Sequence, residues 1–332
     1  MTIEVLKPGL LSTFQDLGRI GHQAIGMPTC GAMDALSHRI ANALVGNHEN
    51  EATLEITLVG PTLRFGRAAT IVLAGADLGA SVHPTDACAV PLAPLRPVTV
   101  TPGTVLQFGR RKAGVRSYLA LQGGFGLPPL MDSASTYLRG ALGGWQGRAL
   151  QKGDLLPLPP EPPAEATPVI AGTATALLLG LLERPRGAAV RLIEGPEWAQ
   201  FNRASQRALM SGVYRIGSQS DRMGYRLEGP SLQRDEPRDM LSEAVAFGTM
   251  QVPPDGRPIV LMADRQTSGG YPRMAQVASV DLPLLAQHMP GDTLRFEPIS
   301  LDAAQHLLVR RARAMQRLAH ALRPHLPQPE TT

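Results

Sequence analysis

Cysteine is scarce. The 332 residues hold only Cys30 and Cys88, which excludes a disulfide framework and leaves at most one bridge. Aromatic residues make up 4% and are not interleaved with basic runs, and the formal net charge is only +4. Nucleic-acid binding is therefore not expected. Lysine occurs only at Lys7, Lys112 and Lys152, so nearly all the basic charge is guanidinium. No apolar run is long enough to span a bilayer, "ATALLLGLL" being far too short, so no membrane association is expected. The opening "MTIEVLKPGL" has no charged region followed by an apolar core, so no signal peptide is read and the expected location is the cytoplasm. No "GxxxxGK[ST]" is present, hence no recognisable P-loop. No "HExxH" and no paired cysteine set occurs, so no metal site is expected. No "G-x-S-x-G" elbow occurs, and a hydrolase using only this chain's groups looks incomplete.

Glycine (34) and proline (30) are abundant and punctuate short runs such as "TIVLAG", "PVTVTPGTVLQF", "RSYLAL", "PIVLM" and "DTLRF". β-branched residues between turn residues argue for strands. Three helices are expected. "DALSHRIANALVG" has Asp34 as N-cap and Gly46 as stop, "PEWAQFNRASQRALMSG" runs from Pro196 to near Gly212, and an Arg-studded helix begins at Ser300. The class is mainly β with a few helices. Hydrophobic residues are 43%, and 332 residues favour two domains. The expected division is 1–156, a proline-rich linker 157–187, a second domain 188–300, and a C-terminal helix and tail 301–332. Words recur at fixed spacing: "IVL" at 71 and 259, and "PGTVLQF" at 102–108 against "PGDTLRF" at 290–296. A duplicated barrel or sandwich explains this, and chance recurrence of strand words is the alternative.

Four polar stretches carry candidate chemistry. In "MADRQTSGGYPRM" a buried strand runs into Asp264, Arg265, Gln266, Thr267, Gly269, Gly270 and Tyr271. Arg265 suits a carboxylate or phosphate, Asp264 suits a base or an orienting group, and Gln266 and Thr267 suit an amide or ureido group. Gly269 and Gly270 at positive φ would make a nest of backbone donors. Removing Asp264 or Arg265 is expected to cost little stability. "SQSDRMGYRLEG" adds Asp221, Arg222 and Tyr225, and alternation places Met223, Tyr225 and Leu227 on one face. "STFQDLGRIGHQAIGMPTCGAMD" adds Gln15, Asp16 and Arg19, with Cys30 as a thiol lacking an assigned base. "STYLRGALGGWQGRAL" places Arg139 and Arg148 around glycines and Trp145, as an anion-binding loop or an ordered loop pinned by the indole.

Together these stretches, with "LSEAVAFGTMQVPPDGRPIVLMAD" and "VDLPLLAQHMPGDTLRF", resemble the biotin-dependent carboxyltransferase or allophanate hydrolase subunit 2 family over about residues 3–300. That family includes the antagonist of the Kip sporulation-kinase inhibitor, the C subunit of the bacterial ATP-dependent 5-oxoprolinase, and the carboxyltransferase part of urea carboxylase. The resemblance implies two cyclophilin-like β-barrel domains. It implies two partners, a Kip inhibitor-like B subunit and a LamB/YcsF-like A subunit. The expected activity is hydrolysis of a small lactam or amide within a hetero-oligomer, with ATP bound by a component the sequence does not name. A regulator that sequesters a kinase inhibitor and a carboxyltransferase using carboxybiotin are the alternatives. No covalent biotin is expected, because the acceptor "MKM" is absent and Lys152 sits in "QKGD". The resemblance gives catalytic roles to Asp264, Arg265, Asp221 and Arg222. Gln266, Thr267, Gly269, Gly270, Tyr271, Tyr225, Gln15, Asp16, Arg19, Arg139 and Arg148 become substrate-binding candidates.

Overall fold

The computed structural model describes residues 2–158, 172–182, 185, 187–236 and 239–322. The expected proline-rich stretch lies largely outside these residues. In the first half, two antiparallel sheets face each other. One runs in the order Leu155–Pro157, Thr2–Lys7, Thr62–Phe65, Val105–Phe108, Ala80–His83, Val90–Pro91. The other runs Leu11–Gln15, Thr53–Thr57, Ala113–Leu121, Ala69–Asp77, Val98–Val100. Alternation puts Ile3 and Val5 inside, where they meet Phe14, Leu54, Phe65 and Leu106. Strand Ala113–Leu121 is buried on both faces, because helix α1 (Ala35–Leu44) covers Tyr118 and Ala120 from behind. That double burial explains its near-continuous apolar run.

The second half forms an eight-stranded sheet, with a separate two-stranded ladder of Glu243–Ala244 and Ser268–Gly269 among the described residues. Thr293–Leu294 pairs with Tyr214–Ile216 at one edge, and Phe296–Pro298 pairs in parallel with Val190–Glu194 at the other. These two edge strands follow each other directly in the chain, so the sheet curls into a nearly closed barrel. No strand ladder joins the halves among the described residues. They interlock instead through side chains: Met33, from the first half, is fully buried in the barrel's core cluster. The recurring words occupy strands in both halves, but the pairings differ. The strand holding Ile71 lies between Ala113–Leu121 and Val98–Val100, whereas the strand starting at Ile259 lies between Gly224–Glu228 and Thr249–Gln251.

Helix α1 starts as read: the Ser37 backbone N–H donates to Asp34 Oδ1 at 2.9 Å. Within 157–187, part of the expected spacer is helical. Helix α2 (Gly172–Leu181) buries Ala174 and Leu178 against other helices. The expected helix from Pro196 is broken. A short 3-10 turn, Trp198–Gln200, is followed by extended Phe201, which enters the barrel core, and Asn202 then caps α3 (Arg203–Ser211). A short α4 (Leu282–Ala286) precedes α5 (Leu301–Leu322). Helix α5 spends its apolar side inside the protein, packing Met315, Leu318 and Leu322 with α1 and α2 while Arg313 and Arg317 face outward.

His38, on α1, is fully buried, its ring lying 2.8 Å from Thr53 Oγ1 and 3.0 Å from the Glu49 carbonyl oxygen. Burial pulls its pKa from 6.5 down to about 4, with nearby Asp16 opposing. The unfolded chain therefore binds more protons between these values, and stability falls as pH drops through that window. The loss is about 3 kcal/mol when complete. Denaturant melts at pH 7 and pH 4.5 should show the loss in the parent, and His38→Gln should flatten it. An unchanged pH dependence in that variant would rule out His38 as the source.

Candidate active site

The segment leaving strand Leu11–Gln15 makes a sharp reversal at Cys30 (φ 53°) and Gly31 (φ 89°). A Cβ on Gly31 would lie 3.0 Å from Gly18 N, so glycine is required there by both conformation and space. The reversal presents the Gly31 carbonyl to Arg222 of the barrel, whose Nη2 donates to it at 2.7 Å. Arg222 also forms a bidentate pair with Asp264, Nε to Oδ2 at 2.9 Å and Nη2 to Oδ1 at 2.8 Å. Its Nη1 donates to Glu55 Oε1, on strand Thr53–Thr57. One guanidinium thus joins a carboxylate from each half, and all three groups are buried.

Glu55 is held from further sides. Its Oε2 accepts from Met33 N at 2.9 Å and from the Tyr118 hydroxyl at 2.8 Å, and Arg116 Nε lies 3.9 Å from Oε1. Arg116 Nη1 donates to the Tyr225 hydroxyl at 2.8 Å, and Tyr225 in turn donates to the His288 carbonyl at 3.1 Å. Gln287 extends the seam, donating to Asp34 Oδ2 at 2.8 Å and accepting from Val115 N and Arg116 N. Burial pushes the Glu55 carboxyl up, but Arg222, Arg116 and the donated hydrogen bonds outweigh it and hold it below its ordinary value. Burial likewise opposes the charge on Arg222, and Asp264 and Glu55 overcome that opposition, so its pKa lies well above the usual arginine value.

Arg265 differs from Arg222. Its Nη1 donates to Thr29 Oγ1 at 3.2 Å and to the Ala263 carbonyl at 3.5 Å, its Nε donates to the Val245 carbonyl at 3.5 Å, and its Cζ lies 5.9 Å from the Phe247 ring centroid. No carboxylate pairs with it among the described residues. Burial lowers its pKa, with Cys30 and Asp264 opposing. A half-buried cation at the seam of the two halves, satisfied only by neutral oxygens, is suited to an incoming anion.

Asp264 is 4% exposed and committed to Arg222. The expectation of a removable surface carboxylate, or of a base beside Arg265, is corrected: Asp264 orients Arg222 and ties the halves. Gly269 and Gly270 are corrected too. Neither has positive φ among the described residues, and Gly269 pairs with Glu243 in a two-stranded ladder, so they form no nest. Asp221 is exposed and closes a turn by accepting from Met223 N at 2.8 Å. Arg139, also exposed, lies 3.9 Å from it. Arg148 is locked bidentate onto Asp154 at 2.7 and 2.8 Å, and half-buried Trp145 packs on the first core, as an ordered loop requires. Tyr225 and Leu227 face inward as alternation predicts. Gln266 and Tyr271 are exposed, and Thr267 serves through its carbonyl, which accepts from Val245 N. Gln15, Asp16 and Arg19 are buried beneath residues 130–147. No motif in the sequence pointed to Glu55, Arg116, Tyr118 or Gln287, which the fold brings to this seam.

Cys30 and Cys88 are both free thiols, one buried and one exposed. Burial, and then the Asp264 carboxylate, push the Cys30 pKa up to about 12, so the group is a neutral thiol at physiological pH. Cys30→Ser should therefore retain activity within about threefold, and iodoacetamide at pH 8 should label Cys88 and spare Cys30 in the native protein. Rapid alkylation of Cys30 coupled to inactivation would restore a nucleophilic role.

The family described as carboxyltransferase domain, subdomain A and B, matches residues 25–298. The 5-oxoprolinase C subunit of Haemophilus influenzae is 39% identical over 309 residues, covering 92% of this chain and 94% of that protein. Its namesake in Escherichia coli K12 is 38% identical over 320 residues, covering 96% and 98%. The crystal structure of Kluyveromyces lactis urea carboxylase matches with a TM-score of 0.86 at 30% identity, covering 98% of this chain and 30% of that one.

Proposed function

This chain belongs to the carboxyltransferase domain family, subdomain A and B, and from that premise we propose that it acts as the C subunit of an ATP-dependent 5-oxoprolinase. The observation that carries the reading is Arg265, a half-buried guanidinium at the seam of the halves with no carboxylate partner among the described residues. It offers a planar donor pair to the carboxylate of a lactam acid or to negative charge developing on its carbonyl oxygen. Near-full-length similarity to two 5-oxoprolinase C subunits supports the choice of substrate. In this reading ATP donates a phosphoryl group to the lactam carbonyl oxygen. Water then adds at that carbon, the ring C–N bond breaks with protonation of the leaving nitrogen to give an acyl phosphate, and a second water hydrolyses that acyl phosphate, so that glutamate, ADP and phosphate leave. Arg265 binds and orients the substrate. Asp264 and Arg222 position the Thr29, Cys30 and Gly31 wall, and the Arg222 ion pairs hold the halves in register.

Partners complete the site. Ile20 and Ile25 are each 72% exposed on the segment leading into Thr29, and Tyr271 is 46% exposed on the segment leaving Arg265. A Kip inhibitor-like protein covering these side chains would exclude water and strengthen the field of Arg265. The match to urea carboxylase supports a second reading, carboxyl transfer from biotin carried on another protein. The test is copurification of this chain with the LamB/YcsF-like and Kip inhibitor-like proteins, followed by assays with each omitted. 5-Oxoproline-dependent ATP hydrolysis is expected only in the complete set. Full turnover by this chain alone would refute the dependence on partners.

A further inference from the structure

We infer that Glu243 and Arg273 are positioning residues for Arg265: their ion pair latches a short strap, residues 243–247, that forms one wall of the Arg265 site. The strap meets Arg265 twice. The Val245 carbonyl accepts from Arg265 Nε at 3.5 Å, and the Phe247 ring centroid lies 5.9 Å from Arg265 Cζ. The strap also pairs with the segment that follows Arg265. Glu243 opposes Gly269, Ala244 opposes Ser268, and Val245 N donates to the Thr267 carbonyl at 3.1 Å. A ladder this short is marginal in water by itself. Its two ends are held differently. At the far end Phe247 packs against the barrel core, and its carbonyl accepts from Gln276 Nε2 at 2.8 Å. At the leading end Leu241, Glu243 and Ala244 are exposed, so no core packing fixes them.

The leading end is anchored by Arg273, the first residue of strand Arg273–Val277. Arg273 Nη2 pairs with the Glu243 carboxylate, and Nη1 donates to the Ala244 carbonyl at 3.4 Å. The guanidinium is itself fixed from another side. Nε and Nη2 donate to buried Glu197 at 3.0 and 2.9 Å, and Arg273 N donates to the same carboxylate at 2.8 Å. A fork already oriented by one carboxylate loses little freedom in taking a second. The two carboxylates differ in consequence. Losing Glu197 would break a buried bidentate pair, whereas the Glu243 side chain is 56% exposed and its loss leaves Arg273 paired. An exposed pair adds little to global stability. What Glu243 contributes is therefore the place of the strap rather than the fold. As an aid to lactam turnover the latch rests on the lactam-hydrolase reading. As the determinant of where Arg265 sits it stands on the contacts.

The decisive variant is Glu243→Lys, which turns attraction to Arg273 into repulsion at an exposed position. Glu228→Lys, which does the same to the exposed pair with Arg215, is the control. Both should melt within about 2 °C of the parent. In the full-length chain, hydrogen exchange over residues 239–247 should run roughly fivefold faster in Glu243→Lys, and phenylglyoxal should modify Arg265 about threefold faster. The control should match the parent in both. In the reconstituted set, Glu243→Lys should lower kcat/KM for 5-oxoproline about fivefold and leave the KM for ATP unchanged, and Glu243→Asp, which keeps the charge, should recover most of the loss. Exchange at the parent's rate in Glu243→Lys would overturn the latch. Faster exchange with Arg265 modified at the parent's rate, or with kcat/KM unchanged, would overturn its hold on Arg265. If the parent set itself does not turn over 5-oxoproline, while Glu243→Lys speeds both exchange and modification, the proposed function fails and the latch stands.

Discussion

Arg222→Met is expected to lower the stability of the chain by about 3–5 kcal/mol, because it leaves Glu55 and Asp264 buried without their shared counter-charge. The thermal midpoint should fall by roughly 5–15 °C. The effect concerns the seam more than either core. The guanidinium takes one carboxylate from strand Thr53–Thr57 and another from the barrel, and it also holds the Gly31 carbonyl. Losing it unfastens the wall on which Thr29 presents its hydroxyl to Arg265. Asp264→Asn should also destabilise, by less, since the amide still accepts one hydrogen bond. A midpoint within about 1 °C of the parent for Arg222→Met would mean that the pairs add nothing net to stability.

The second large effect is on turnover. With partners present, Arg265→Ala should lower kcat/KM by roughly 100- to 1000-fold, the usual loss for one donor to developing negative charge. Its melt should stay close to the parent's, because the side chain is half-exposed and contacts only neutral oxygens and the Phe247 ring. Arg265→Lys should fall between the two, keeping the charge but losing the planar fork. A fully active Arg265→Ala would remove this residue from the site.

Much of the fold was legible because its signals are local. β-branched runs between glycines and prolines became strands, Asp34 capped α1, and α5 began one residue after Ser300. The site was half-legible for the same reason. Asp264 and Arg265 are adjacent in sequence, and adjacency suggested a shared role. Successive side chains leaving a strand point to opposite sides, however, so Asp264 turns to Arg222 and Arg265 to Thr29. The partner that gives Arg222 its role, Glu55, lies 167 positions away and carries no motif. Gly269 looked like a nest residue because glycine permits positive φ, yet permission is not need: it lies in a ladder where a Cβ would meet Gln251 Nε2 at 2.7 Å. Likewise a cysteine gives no hint of its burial, and burial keeps Cys30 protonated.

We propose lactam hydrolysis as the reaction that the Arg265 site serves. The most direct measurement is the initial rate of ATP-derived phosphate release by the reconstituted set. One reaction contains 5-oxoproline, and a parallel reaction contains urea, bicarbonate and a biotin carrier protein. Phosphate release matched by glutamate formation is expected in the first, abolished by Arg265→Ala, and background rates in the second. Turnover with urea and biotin carrier, and none with 5-oxoproline, would contradict it.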